Sequence, residues 1–118
     1  MEETGRGIMN IQIFGISKCF DTKKAQRYFK ERGIKFQAVD IKKFGMSRGE
    51  LGSVRAAVGL ERMINPAHPD AILLSYLALE QAKMDKLFEF PALLRTPIVR
   101  NGRQATVGYC PEVWAGWE

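Results

Sequence analysis

The first forty residues carry three readable hydrophobic patterns in succession. Residues 10–15 (Asn-Ile-Gln-Ile-Phe-Gly) alternate polar and apolar side chains and end on a glycine, which predicts a strand. Over 21–32, Ala25, Tyr28 and Phe29 recur at helical spacing with Lys and Arg on the other face, and Gly33 follows as a stop. Over 35–41 the alternation returns through Phe36, Ala38 and Val39, predicting a second strand. A right-handed crossover makes these two strands parallel and lays the helix on one face of the sheet.

The middle of the chain is helical in pattern. Ser47 with Glu50 three residues later forms a capping-box signature ahead of a Leu51, Val54, Val58 stripe, and Gly59 closes that helix. Asp70 is placed to cap a strongly apolar stretch over 71–82, whose Leu73, Leu74, Leu77 and Ala78 read as core. A shorter helical turn over 84–88 follows, stopped by Pro91. The last third changes style. Residues 96–100 form a strand, Asn101-Gly102 signals a tight hairpin, and 104–108 return as its antiparallel partner. Pro111 then opens a short helix whose Trp114 and Trp117 would pack it onto the sheet. The order β-α-β, helices, β-hairpin, α describes one α/β domain over residues 1–118.

Composition refines this only at a few points. With 118 residues, 46% of them hydrophobic, the chain can bury about two-thirds of its unfolded surface without a metal or disulfide staple. Two distant cysteines make no disulfide framework, and no Cys/His cluster has zinc spacing. His68, between Pro66 and Pro69, reads as a loop residue. No stretch approaches the ~20 apolar residues of a membrane span, and the polar, Gly-rich residues 1–7 are no signal peptide. We therefore expect a cytoplasmic protein with a flexible extension over 1–8 and Met9 as its natural start. The net charge of +5 comes from basic residues scattered among acidic ones, which reads as a solvated surface and not a nucleic-acid footprint.

One residue stands where chemistry is favoured. Cys19 lies between the first strand and the first helix, where free N–H groups, the helix dipole and the nearby Lys18, Lys23 and Lys24 stabilise a thiolate, with Asp21 opposing. The plain alternative is a half-buried cysteine at a strand end. Thr22, three residues on, stands where dithiol motifs carry a resolving cysteine. Its hydroxyl could donate to a thiolate or simply serve the helix's first turn. Thr96-Pro97 could merely start a strand. Cys110 could resolve a mixed disulfide on Cys19, or cap and pack the last helix.

Taken together, Ile13-Phe14-Gly15, Cys19 with Thr22-Lys23-Lys24-Ala25, Thr96-Pro97-Ile98-Val99 and Val107-Gly108-Tyr109 with Pro111-Glu112 are similar to the glutaredoxin-like arsenate reductase (ArsC) family, in its Spx and YffB branch. The resemblance covers 9–117. It implies a thioredoxin-like fold with a helical insertion, Cys19 as nucleophile, and Pro97 as a cis-proline that forms, with Thr96, the wall opposite it. It also implies glutathione or another thiol as co-substrate, with no bound cofactor. Family members that reduce arsenate hold the oxyanion with three arginines. Here Thr96 and Tyr109 occupy two of those positions, and no arginine stands at the third, near Asn65 and Pro66. Arg95, Arg100, Arg103 and Arg62 are nearby in sequence as substitutes, with Arg95 the candidate anion-binding residue. Since one missing donor of this kind costs ~10²–10³ in rate, efficient arsenate reduction is not expected, and the expected substrate is a small-molecule or protein thiol or disulfide. The Spx branch implies the alternative of a non-enzymatic partner of the RNA polymerase α subunit, lacking the Cys-x-x-Cys switch because Thr22 replaces its second cysteine. A third alternative is a member that kept the fold and lost the activity.

Overall fold

In the computed structural model, which describes residues 9–117, the alternating segments become a four-stranded mixed sheet. The extension expected over 1–8 lies outside the described residues. β1 (Ile11–Gly15) is central, pairing parallel with β2 (Phe36–Asp40) and antiparallel with β3 (Ile98–Asn101), and β4 (Gln104–Val107) closes the order β2-β1-β3-β4. α1 (Phe20–Glu31) makes the crossover between the parallel pair. The hairpin turns one residue later than Asn101-Gly102 suggests. Asn101 pairs with Gln104, and Gly102 takes the first central position with φ +62° while Arg103 stays at negative φ, as in a type II′ turn.

Each face of the sheet has its own core. On one, Ile11, Ile13 and Val99 pack with Ala25, Tyr28 and Phe29 of α1 and with Trp114 of α7 (Pro111–Ala115). Trp114 is fully buried, lies against the rings of Tyr28, Phe29 and Tyr109 at 5.1–5.6 Å, and donates from Nε1 to Thr106 Oγ1 at 2.8 Å. Trp117 is only partly buried at the edge of this cluster. On the other face, Phe14 and Ile98 meet the helical insertion. This comprises α2 (Ile41–Phe44), α3 (Arg48–Val58), α4 (Leu60–Met63), α5 (Ala71–Leu74) and α6 (Glu80–Glu89), with a 3₁₀ turn at Pro91–Leu93. The capping box is present: Ser47 Oγ accepts from Glu50 N at 3.1 Å and Glu50 Oε1 from Ser47 N at 2.9 Å.

The helix expected over 71–82 is not formed, and its stripe is not core. Only Ala71–Leu74 is helical, and of the four stripe residues only Leu74 is buried; Leu73 is 55% exposed, Leu77 half-buried and Ala78 exposed. Two local causes act. Asp70 makes no side-chain cap, and Ser75 Oγ donates to Ile72 O at 2.6 Å, competing with the helical ladder. The chain unwinds through tight turns and restarts at Glu80, giving a ten-residue α6 where the pattern suggested a short turn over 84–88.

Because Trp114 ties α7, α1 and the hairpin into one cluster, Trp114→Ala should lower unfolding stability by about 3–5 kcal/mol, read from urea denaturation. Trp114→Phe should cost less, since it keeps an aromatic ring in place and loses chiefly the bond to Thr106. A loss below about 1 kcal/mol for the alanine variant would show that the cluster does not anchor α7.

Candidate active site

The strand-to-helix turn delivers Cys19 to the mouth of α1. Cys19 N donates to Ile16 O at 3.1 Å, closing the turn, and Cys19 O accepts the first helical bond from Lys23 N at 3.2 Å. Cys19 is thus the N-cap, with extended backbone (φ −85°, ψ 117°) and a side chain free of capping duty. The N–H groups of a first helical turn have no partner inside the helix, so they are available to an anion held at the cap.

The sulfur is half-buried and donates to Thr96 O at 3.6 Å across the site. Thr96 is joined to Pro97 by a cis peptide bond, and Pro97 is buried where β3 begins. Burial pushes the Cys19 pKa up. The Thr22 and Thr96 side chains and the backbone N–H groups of Thr22 and Asp21 outweigh it, holding the thiol below its ordinary value. Thr22 is itself buried, and its Oγ1 has no hydrogen-bond partner while Cys19 is a neutral thiol. A buried hydroxyl in that condition gains a bond when the sulfur ionises, which favours the thiolate.

These donors around the sulfur, and not the lysine field anticipated from the sequence, hold the thiol below its ordinary value. Lys18 is exposed, and Lys23 lies over the ring of the exposed Phe20, 5.8 Å from its centroid. A cleft of about 300 Å³ opens between the first turn of α1 and β2, lined among others by Ser17, Thr22, Lys23, Gln26 and Asp40.

Cys110 stands at the start of a different helix. It is the N-cap of α7, packs with Trp117 against the Trp114 cluster, and donates from Sγ to Val107 O at 3.4 Å. Burial and the neighbouring Glu112 push its pKa up, although Arg62 and Arg95 oppose the shift. Arg95 is exposed, its backbone N bonded to Met63 O at 2.9 Å, and its charge acts on Cys110 and not on Cys19. Tyr109 turns its ring edge to Trp114 and carries Lys24 over its face at 5.6 Å. His68 Nδ1 accepts from Asp70 N at 3.0 Å within its loop. Among the described residues, no group of three or more His, Cys, Asp or Glu is placed to hold a metal ion.

The residue that sequence reasoning passed over is Gly15. It reads as a strand end, yet the buried Thr22 side chain fills the space where its Cβ would be. Only a three-dimensional contact between 15 and 22 reveals this.

The two thiols give opposite pH signatures. A lowered folded pKa at Cys19 means that the unfolded chain binds more protons, so its contribution is full above the ordinary thiol value and is lost as pH falls through the folded pKa. The raised pKa of Cys110 contributes below the ordinary value and is lost as pH rises through its folded pKa. Between about pH 7 and 10, Cys19→Ser should therefore make stability fall more steeply with pH, and Cys110→Ser less steeply. Urea midpoints across that range test this, and equal slopes in both variants would contradict it.

Comparison with known proteins matches residues 14–116 to the ArsC family. A relative named global transcriptional regulator Spx 2, from Oceanobacillus iheyensis, is 31% identical over 107 residues, covering 86% of this chain and 78% of the relative. Among solved structures, a YffB protein superposes with a TM-score of 0.79 at 23% identity, covering 92% of this chain and 98% of its own. An arsenate reductase from Vibrio cholerae gives 0.80 at 23%, covering 93% and 98%. A glutaredoxin from Archaeoglobus fulgidus gives 0.51 at 16%, covering 95% and 88%. The structural likenesses establish a thioredoxin-like fold of the ArsC type, and with the match over most of its length the chain belongs to the ArsC family.

Proposed function

We propose that this chain is a monothiol oxidoreductase in which Cys19 attacks an oxidised sulfur and a low-molecular-weight thiol such as glutathione completes the cycle. The observation that carries this reading is the thiol at the N-cap of α1, its pKa lowered by the hydroxyls of Thr22 and Thr96 and by two backbone N–H groups. Thr22 and Thr96 would support the thiolate, with Lys18 and Lys23 adding charge at the rim and Pro97 completing the opposite wall.

The reaction balances without a cofactor. The Cys19 thiolate attacks the glutathione sulfur of a mixed disulfide; the Cys19–glutathione S–S bond forms and the substrate S–S bond breaks. The substrate leaves as a thiolate and takes a proton from water. A second glutathione thiolate attacks the sulfur joined to Cys19, releasing oxidised glutathione and regenerating the Cys19 thiolate. Each turnover consumes one glutathione thiol: its sulfur is oxidised into oxidised glutathione, the substrate sulfur is reduced to a thiol, and the glutathione sulfur of the mixed disulfide stays at the disulfide level throughout. Cys110 has no place in this cycle: its sulfur is engaged with Val107 and its pKa is raised.

Arsenate suits the site less well. The positions at which the family's reductases are expected to carry arginines hold Thr96 and Tyr109, whose side chains serve the thiol and the Trp114 cluster. Arg95 would have to supply the missing charge from the side of Cys110.

A second reading rests on the relative named a transcriptional regulator: a protein that binds the RNA polymerase α subunit, without a disulfide switch at 19 and 22. A cytoplasmic site of action fits both readings, and no helix among the described residues is long and apolar enough to cross a membrane.

The deciding experiment is glutathione-coupled turnover of a glutathione mixed disulfide and of arsenate, with Cys19→Ser as control. We expect turnover of the disulfide that the substitution lowers by at least ~10³, and arsenate turnover slower by ~10² or more. No turnover of either substrate, with capture of purified α subunit by the same preparation, would favour the regulatory reading instead.

A further inference from the structure

We propose that Gly15 is a positioning residue for the nucleophile: the absence of a side chain at this strand end is what lets the Thr22 hydroxyl face the sulfur of Cys19. This rests on the reading of Cys19 as the working thiol.

Three observations carry it. Thr22 is 4% exposed, and its Oγ1 is buried with no partner, so it is neither a helix cap nor a solvated hydroxyl. Its position in the first turn of α1, three residues after Cys19, directs it back to the helix mouth. A Cβ on Gly15 would lie 3.0 Å from Thr22 Cβ and closer still to Oγ1 and Cγ2. Contacts that short do not occur, and what must move is the threonine side chain, held between the strand end and the helix. Gly15 has no left-handed φ, so its requirement here is space and not backbone freedom.

The consequence is chemical. A methyl group at 15 occupies the place of the hydroxyl, forcing Thr22 to another rotamer or the first turn of α1 away from β1. Either displacement removes a donor from the thiolate while leaving the neutral thiol its bond to Thr96 O. The substitution alters none of the charged residues next to Cys19 in the chain, Lys18, Asp21 and Lys23.

The test is the pH dependence of iodoacetamide alkylation of Cys19 in the full chain, followed by peptide mass spectrometry so that Cys110 is scored apart. Thr22→Ala should raise the apparent pKa of Cys19 by ~1 unit, and Gly15→Ala should raise it by a similar amount. In the Thr22→Ala background, where the hydroxyl is already gone, adding Gly15→Ala should cause no further rise. If Thr22→Ala raises the pKa and Gly15→Ala does not, or if the two effects add in full, the proposal is overturned while the reading of Cys19 stands. If Thr22→Ala itself changes nothing, both the proposal and the role given to Thr22 fail. Should Gly15→Ala alone not fold, Thr22→Ser with and without Gly15→Ala replaces it. The serine has lost the Cγ2 methyl, but its hydroxyl still competes with the alanine for the same space. The double variant must then show the higher pKa, and equal values overturn the proposal.

Discussion

The first turn of α1 rests on the last residue of β1 through the Thr22 side chain, with none on Gly15 to hold it off. That contact, the buried Thr22 against the bare Gly15, fixes how far the helix mouth stands from the sheet. From it follow the tight turn Ile16 to Cys19, the N-cap position of the sulfur, and its approach to the Thr96 carbonyl at the start of β3. The two cores hold this arrangement from either face, with Tyr28, Phe29 and Trp114 behind α1 and Phe14 and Ile98 against the insertion. A central strand hydrogen-bonded on both sides leaves β1 little freedom to shift.

Much of the scaffold could be read from the chain because local and global preferences agree there. The alternation over 10–15, the stripe through Ala25, Tyr28 and Phe29, and the Ser47–Glu50 box each specify one element without help from distant residues. The stretch over 71–79 carries no such specification. Almost every side chain in it is apolar, so hydrophobicity has no period and cannot say which residues face inward. Ile72 (62% exposed) and Tyr76 (77% exposed) show the outcome. Single-turn helices such as α2 and α4 are likewise too short to leave a periodic trace. The position of Cys19 was legible as a strand-to-helix junction, but its environment was not. Lysines close in sequence suggested a charge effect, whereas the Thr22 and Thr96 side chains and two backbone N–H groups hold the thiol below its ordinary value.

A thiolate can be favoured by nearby cations or by aligned donors. Cations raise the local potential for any anion, including a charged substrate. Donors aimed at the sulfur serve the sulfur alone. This site uses the second means, and Arg62 and Arg95 act on Cys110. Such a site suits attack on a disulfide, whose reacting sulfur carries no charge, better than attack on an oxyanion. The contrast between the thiols follows from geometry as well: both stand at helix N-caps, but Cys110 is packed beside the aromatic cluster with Glu112 close by, and its pKa moves the other way.

The chemistry proposed for this site requires an activated Cys19 in the unmodified protein. The alkylation rate of Cys19 against pH, set beside that of a free cysteine peptide, measures this directly. We predict a midpoint clearly below the free-thiol value of ~8.5, with Cys110 titrating above it. A Cys19 midpoint at or above ~8.5 would contradict the account, whatever the turnover assays return.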